Sequence, residues 1–313
     1  MSVVEQALRI ATARPDDLLA IVGPTGTGKT ALAVGVAERL GGEVVSADSV
    51  QVYRLFDVGS GKPTVEERAR ARHHLVDALE PLDHTDAALW AEAASRAIDD
   101  VRRRGRVPIV CGGTFLWVKA LLYGLAEAPA ASEEVRRRHR AFAQREGRPA
   151  LHGELGTVDP ESAARLHPND LVRVSRALEV FELTGRPMSA WQREHAFARA
   201  LRPSRLLAIA VDPGTLTDRI RDRVRAWLRQ GWVDEVQSLL ARGYGEARAM
   251  GSVGYAQIRG MLAGAIPLED LETAIVRATR VFARRQRTFL RHAEVTWLVD
   301  SCRPAEVAPE GRS

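Results

Sequence analysis

The chain has 313 residues, of which 45% are hydrophobic and 27% charged, the profile of a globular protein long enough to bury a real core. It carries 45 basic and 40 acidic side chains, for a net charge of +5. The excess is uneven: 15 basic and 17 acidic groups lie before residue 130, and 30 and 23 after it. No apolar run approaches the ~20 residues of a membrane helix, which excludes an integral membrane role. With Glu5 in the first turn no signal peptide is expected. Two cysteines, Cys111 and Cys302, exclude a disulfide scaffold and a four-ligand zinc site, so the cytosol is the expected compartment.

In chain order, the apolar run 18–22 predicts a strand, followed by a glycine-rich turn and an amphipathic helix over 30–40. Residues 43–46 and 107–110 predict a second and third strand, 206–211 a fourth and 295–299 a fifth. Strands alternating with helix-sized segments predict an α/β fold, a mostly parallel sheet flanked by helices. The alternation stops from 128 to 200, where Arg, Glu and Ala recur at helical spacing. The expected organisation is therefore a discontinuous core, 1–127 and 201–313, interrupted by an all-helical insertion, 128–200. The tail after Asp300 is expected to fray.

The turn after the first strand reads Gly23-Pro24-Thr25-Gly26-Thr27-Gly28-Lys29-Thr30, the phosphate-loop pattern in its required place between strand and helix. Its glycines let backbone N–H groups wrap an anion, the helix N-terminus faces it, Lys29 adds a compact charge, and Thr30 can ligate Mg²⁺. Such a loop implies a bound di- or triphosphate, not hydrolysis. A nucleotide hydrolase would end a neighbouring strand in an acidic residue, but 107–110 runs into Cys111-Gly112-Gly113-Thr114. The acidic residue at a strand end is Asp48, either a helix N-cap or a catalytic carboxylate. A phosphate loop without the hydrolase's acidic strand suggests transfer chemistry on a diphosphate.

Arginine dominates the second half, where Lys is absent; the only lysines are Lys29, Lys62 and Lys119. Arg277, Arg280, Arg284, Arg287 and Arg291 step by three and four, which places five guanidiniums on one helical face with no acid from 277 to 291. That face either meets solvent or binds RNA phosphates; Phe282 and Phe289 fall elsewhere on the wheel and are expected in the core. Arg219 and Arg223 are spaced to clamp one anion. Lys62 is either an RNA-phosphate contact or a plain loop residue. His73-His74 lack a third metal ligand, and Cys111 is expected to be a small buried side chain.

These segments resemble the tRNA dimethylallyltransferases (tRNA isopentenyltransferases) over nearly the whole chain: GPTGTGKT (23–30), SADSVQVYRLFDVGSGKP (46–63), HHLVD (73–77), CGGTFLWVKALL (111–122), DPESAARLHPND (159–170), RVSRALEVFELTGRP (173–187), VGYAQI (253–258) and TRVFARRQRTFLR (279–291). The resemblance implies a P-loop NTPase-like fold with a helical insertion, and transfer of a dimethylallyl group from dimethylallyl diphosphate to N6 of adenosine 37 in the tRNA anticodon stem-loop. It implies that Asp48 takes the amine proton, with Thr114, Lys29, Arg219 and Arg223 completing the catalytic set. Gly23, Pro24, Thr25, Gly26, Thr27, Gly28, Lys29 and Thr30 would hold the diphosphate, with Mg²⁺ on Thr30. The tRNA contacts would be Asp48, Ser49, Val50, Gln51, Thr114, Arg136, Val172, Arg173, Val174, Ser175 and Arg176. A monomer is expected. The chain departs from the family pattern at Val50 (usually Arg), Phe115 and Trp117 (Gly and Tyr), Val172 (Gln) and Arg284 (Lys). The competing readings are a P-loop kinase of a small metabolite and an isopentenyltransferase acting on free adenine nucleotides. A GTPase-like switch would need an N-K-x-D sequence, which is absent.

Overall fold

The computed structural model describes residues 1–129, 131–291 and 293–300. His292, and the tail with Cys302, lie outside the described residues. The chain divides into two compact units, one of Met1–Leu122 with the described residues from Leu201 on, the other Tyr123–Ala200.

The first unit begins with α1 (Val3–Ala13), β1 (Leu18–Val22), α2 (Lys29–Leu40) and β2 (Glu43–Ala47). Next come α3 (Val65–Arg70), β3 (His73–His74), α4 (Ala87–Arg103), β4 (Pro108–Gly112) and α5 (Phe115–Tyr123), whose last residue opens the other unit. The strands form one fully parallel sheet in the order β3-β2-β4-β1, continued by β5 (Ser204–Ile209) and β6 (Val295–Leu298). Every residue of β1, β2 and β4 is buried, as expected of strands covered on both faces, which read as apolar runs rather than alternations. β3 was not foreseen because two residues cannot display a period; His73 and His74 pair with Val44 and Val45. His74 Nε2 lies 2.6 Å from Glu43 Oε2. Arg104, and then His74, hold Glu43 down to about 2.

After β5 come α11 (Pro213–Arg229), α12 (Trp232–Ala241), α13 (Tyr255–Leu262) and α14 (Leu271–Leu290), numbered after the five helices of the second unit. α14 buries Leu271, Ile275, Thr279, Ala283, Gln286 and Leu290, one stripe at helical spacing. Phe289 stacks on Phe115 with ring centroids 5.0 Å apart. Phe282, by contrast, is 41% exposed, which corrects the expectation that it faces the core; it lies at the margin of the stripe, seven residues past Ile275.

The second unit is all helical: α6 (Glu133–Glu146), α7 (Arg148–Val158), α8 (Pro160–Arg165), α9 (Leu171–Thr184) and α10 (Met188–His195). Ala143, Leu151, Leu155, Val174, Ala177 and Leu178 form its core. Beside them the fully buried Glu179 accepts two hydrogen bonds from Arg136, one from Arg176 and one from the Ser132 N–H. Burial raises that carboxyl, but Arg176, Arg136 and Ser132 outweigh it and leave its pKa below the ordinary value.

Candidate active site

Three adjacent strands end level with one another. Val22 of β1 and Ala47 of β2 both pair with Gly112 of β4. The residues that follow, Gly23, Asp48 and Gly113, therefore leave the sheet together at its carboxyl edge, where ligands of parallel sheets collect.

The phosphate loop closes on itself before it meets α2. Lys29 Nζ donates to the Pro24 carbonyl at 2.7 Å and Thr27 Oγ1 to the same oxygen at 3.0 Å. Gly28, the residue before α2, has φ 92 and gives no side-chain cap; a β-carbon would strain that left-handed conformation. Pro24 has no N–H, and the Thr25 N–H donates to Gln286 Oε1 at 2.9 Å. The N–H groups of Gly26, Thr27, Gly28, Lys29 and Thr30 have no partner among the described residues, a nest of donors shaped for an anion. Lys29 is half-buried as a residue, but desolvation at its ammonium end draws it down to about 8 although Cys111 and Asp48 favour its charge. Burial pushes the Cys111 thiol up to about 12, so it is not a nucleophile at neutral pH.

Asp48 caps a turn rather than a helix. Its Oδ1 accepts from the N–H groups of Val50 at 2.9 Å and Gln51 at 3.2 Å, and both bonds fall on one oxygen. Thr114 holds the same turn from β4: its N–H donates to Ala47 O and its Oγ1 accepts the Ser49 N–H, each at 3.1 Å. Behind β2, Trp90 Nε1 donates to Ser46 O at 3.1 Å, and Trp90 stacks on Trp117. At the two departures, Trp117 stacks on Trp90 and Phe115 on Phe289 of α14.

From α11, Arg223 Nη2 donates to Thr25 Oγ1 at 2.7 Å, and its guanidinium lies 4.6 Å from the Trp227 ring centre. Its buried Nε has no partner among the described residues. Burial draws Arg223 down to about 10 against the pull of Asp48. Arg219, one turn earlier, is half-buried and has no ion pair among the described residues. Leu216 and Ile220 lie beside Gly26, where a β-carbon would meet them at 3.1 and 3.4 Å. The loop, Asp48, Thr114 and Arg223 are therefore one cluster.

Other expected site residues do different work. Gln51 Nε2 donates to the carbonyls of Ser60 and Gly61, so within the half-exposed segment 48–51 its side chain is engaged inward. Lys62 is no surface contact: its side chain is 5% exposed and clamped between Asp57 and Asp77 at 2.6 and 2.5 Å. Arg136 is engaged by Glu179. Val174 and Ser175 are buried, the latter bonded to His139 Nδ1 at 2.9 Å, so their side chains do not reach solvent. In 172–176 the outward groups are Val172 (79% exposed) and Arg173, with Arg176 half-buried. Arg277, Arg280, Arg284 and Arg291 are exposed and Arg287 half-exposed, and none has an acidic partner among the described residues.

Two contributors escaped the sequence reading. Gln286 is a lone amide on the buried stripe of α14; a polar residue at an apolar position of the helical period was the available signal. Trp227 sits one turn past Arg223 and carried no signal beyond that spacing. No three His, Cys, Asp or Glu cluster to hold a metal among the described residues. The Thr30 hydroxyl is without a hydrogen-bond partner among them. Mg²⁺ is commonly held by one or two protein oxygens plus substrate phosphates and water, so this donor set fits a cation that arrives with a diphosphate.

No helix among the described residues is long and apolar enough to cross a membrane. The IPP transferase family model matches residues 51–293. The tRNA dimethylallyltransferase of Sorangium cellulosum is 64% identical over 289 residues, which cover 92% of each chain; that of Geobacter metallireducens is 47% identical over 90% of this chain and 92% of its own. Among solved structures, the full-length tRNA isopentenylpyrophosphate transferase of Bacillus halodurans superposes with a TM-score of 0.66 at 36% identity, covering 91% of this chain and 90% of that one. A eukaryotic dimethylallyltransferase captured acting on tRNA gives 0.74 at 25% identity, covering 91% of this chain and 74% of that one. On the family match and these identities, the chain belongs to the IPP transferase family.

Proposed function

We propose that this protein transfers the dimethylallyl group of dimethylallyl diphosphate to N6 of adenosine 37 in the anticodon stem-loop of tRNA. The observation that carries the reading is the level ending of β1, β2 and β4. It sets an anion nest, a turn-held carboxylate and a threonine side by side, with no acidic residue ending β4 to serve a hydrolase. In the reaction the allylic C–O bond breaks and its electron pair leaves with diphosphate, while the N6 lone pair forms the new C–N bond. An aromatic amine is a weak nucleophile, so stabilising the leaving group is the main task. The loop N–H groups, Lys29, Arg223 and Arg219 surround the diphosphate oxygens. Mg²⁺, bound through the Thr30 hydroxyl and the diphosphate, would supply further neutralisation of the leaving charge. Asp48 accepts the N6 proton and orients the amine, with Thr114 holding its turn; such base assistance is worth ~10²–10⁴-fold.

Adenosine must leave its stack to reach this edge. RNA contacts are assigned to Asp48, Ser49, Val50 and Thr114 near the base, and to Val172, Arg173 and Arg176 on the helical insertion, here Tyr123–Ala200. The Arg277–Arg291 stripe of α14 meets phosphates. A soluble cytosolic monomer accords with this role. The test is incubation with labelled dimethylallyl diphosphate and tRNA, AMP or ATP. Label in tRNA alone supports the reading. Label in AMP or ATP instead means a free-nucleotide isopentenyltransferase, and a phosphorylated small metabolite with no prenyl transfer means a kinase.

A further inference from the structure

Gln286 joins the two halves of the active cluster. Its Oε1 accepts the Thr25 N–H at 2.9 Å and its Nε2 donates to the Gly113 carbonyl at 2.9 Å. The amide orientation follows from its partners, since an N–H needs the oxygen and a carbonyl the nitrogen. Gly113 leaves room for it: a β-carbon there would lie 2.4 Å from Nε2. The link then continues through Thr114 to Ala47 and Ser49, and so to Asp48. Gln286 itself is 6% exposed, on the buried stripe of a 20-residue helix one turn before its last residue, Leu290. An apolar side chain would fill the same space, so burial alone does not call for an amide, and the two polar bonds do. Resting on the prenyl-transfer reading, we propose that Gln286 is a positioning residue: it sets the phosphate loop, which takes the leaving group, at a fixed separation from the Thr114–Asp48 turn, which takes the proton.

Misplacement by about 1 Å costs on the order of 10²-fold in such reactions, and the loss belongs in turnover rather than in RNA affinity. The experiment compares wild type, Gln286→Met, Gln286→Glu and Gly113→Ala. Prenyl transfer is measured at saturating substrates, with equilibrium binding of tRNA and of inorganic pyrophosphate. Gln286→Met keeps the volume and removes both bonds. Turnover should fall by about 30-fold and pyrophosphate should bind about 10-fold more weakly, with tRNA binding unchanged. Gln286→Glu keeps an acceptor for Thr25 but sets a charged carboxylate against the Gly113 carbonyl and beside the anion nest, so it should lose both turnover and pyrophosphate affinity, with tRNA binding unchanged. Gly113→Ala displaces the amide without deleting it and should reproduce the Gln286→Met pattern, which covers the case in which Gln286→Met fails to fold. The proposal is overturned if a folded Gln286→Met or Gly113→Ala variant keeps both turnover and pyrophosphate affinity within twofold of wild type, or loses only tRNA affinity. Should wild type transfer no prenyl group, the functional reading fails by itself, and pyrophosphate affinity still decides whether Gln286 holds the loop.

Discussion

Partly or largely buried cations occur in both units, and their surroundings differ. In the helical unit Arg136 and Arg176 share the fully buried carboxylate of Glu179; in the sheet unit Lys62 lies between two aspartates. At the strand ends Lys29 and Arg223 are no less enclosed, yet among the described residues their charged ends meet a carbonyl, a hydroxyl and an aromatic face and no carboxylate ion pair. Burial draws both below their ordinary pKa. A buried cation held by a carboxylate is part of the scaffold. One held by neutral oxygens has charge to spare, and an arriving anion relieves its desolvation.

The contrast can be broken at several points. The largest expected effect is that of Asp48→Asn, which should lower turnover by about 10²–10⁴-fold while tRNA still binds, because an amide can orient N6 but not take its proton. Collapse of tRNA binding at an unchanged rate would make Asp48 a contact and no base. Lys29→Ala should cost about 10²–10³-fold in transfer and weaken diphosphate binding; near-normal turnover would remove the lysine from the mechanism. Glu179→Gln should spare chemistry and destabilise the helical unit by roughly 3 kcal/mol, since it leaves guanidiniums without their shared carboxylate. A melting temperature equal to wild type would refute that scaffold role.

A pH experiment sharpens the same point. Lys29 titrates at about 8 when folded and near 10.5 when unfolded, so between those values the unfolded chain binds more protons. Ligand-free stability should therefore gain from this group as pH rises from about 8 to 10.5. Pyrophosphate binding, which needs the charged form, should weaken over that range and take up protons near pH 8, as calorimetry in buffers of different ionisation enthalpy would read. Binding that does not change from pH 7 to 9.5 would contradict a charge poised for the anion. The smallest effect is at the surface. Arg277→Gln with Arg284→Gln should raise the apparent KM for tRNA and flatten the salt dependence of binding by about 0.7–0.9 per lost phosphate contact. Melting should not change, because no acid pairs with either residue among the described ones. A lower melting temperature with an unaltered salt slope would put these arginines in the fold and the RNA surface elsewhere.

Much of the site could be read from local pattern. The phosphate loop, Asp48 after a strand and the absence of an acid after β4 are all short-range features, set by runs of buried residues and the turns that end them. The Arg stripe of α14 is equally local, a matter of helical period. Phe282 marks where period alone misleads: it lies seven residues past the buried Ile275, yet α14 packs chiefly against α11 and α13 and Phe282 stays 41% exposed.

Whatever depends on distant partners was out of reach. The Thr25–Gln286 bond spans 261 positions and the Thr25–Arg223 bond 198; the burial of Lys62 needs two aspartates brought together by a loop. The sequence by itself determined the alternation of strands and helices and the anion-binding chemistry of the loop, because hydrophobic period and turn composition act within a few residues. Only the tertiary structure decided which cations are neutralised by carboxylates and which are left for a substrate. That depends on which groups share a low-dielectric space, and parallel strands joined by long crossovers fill that space with residues far apart in the chain.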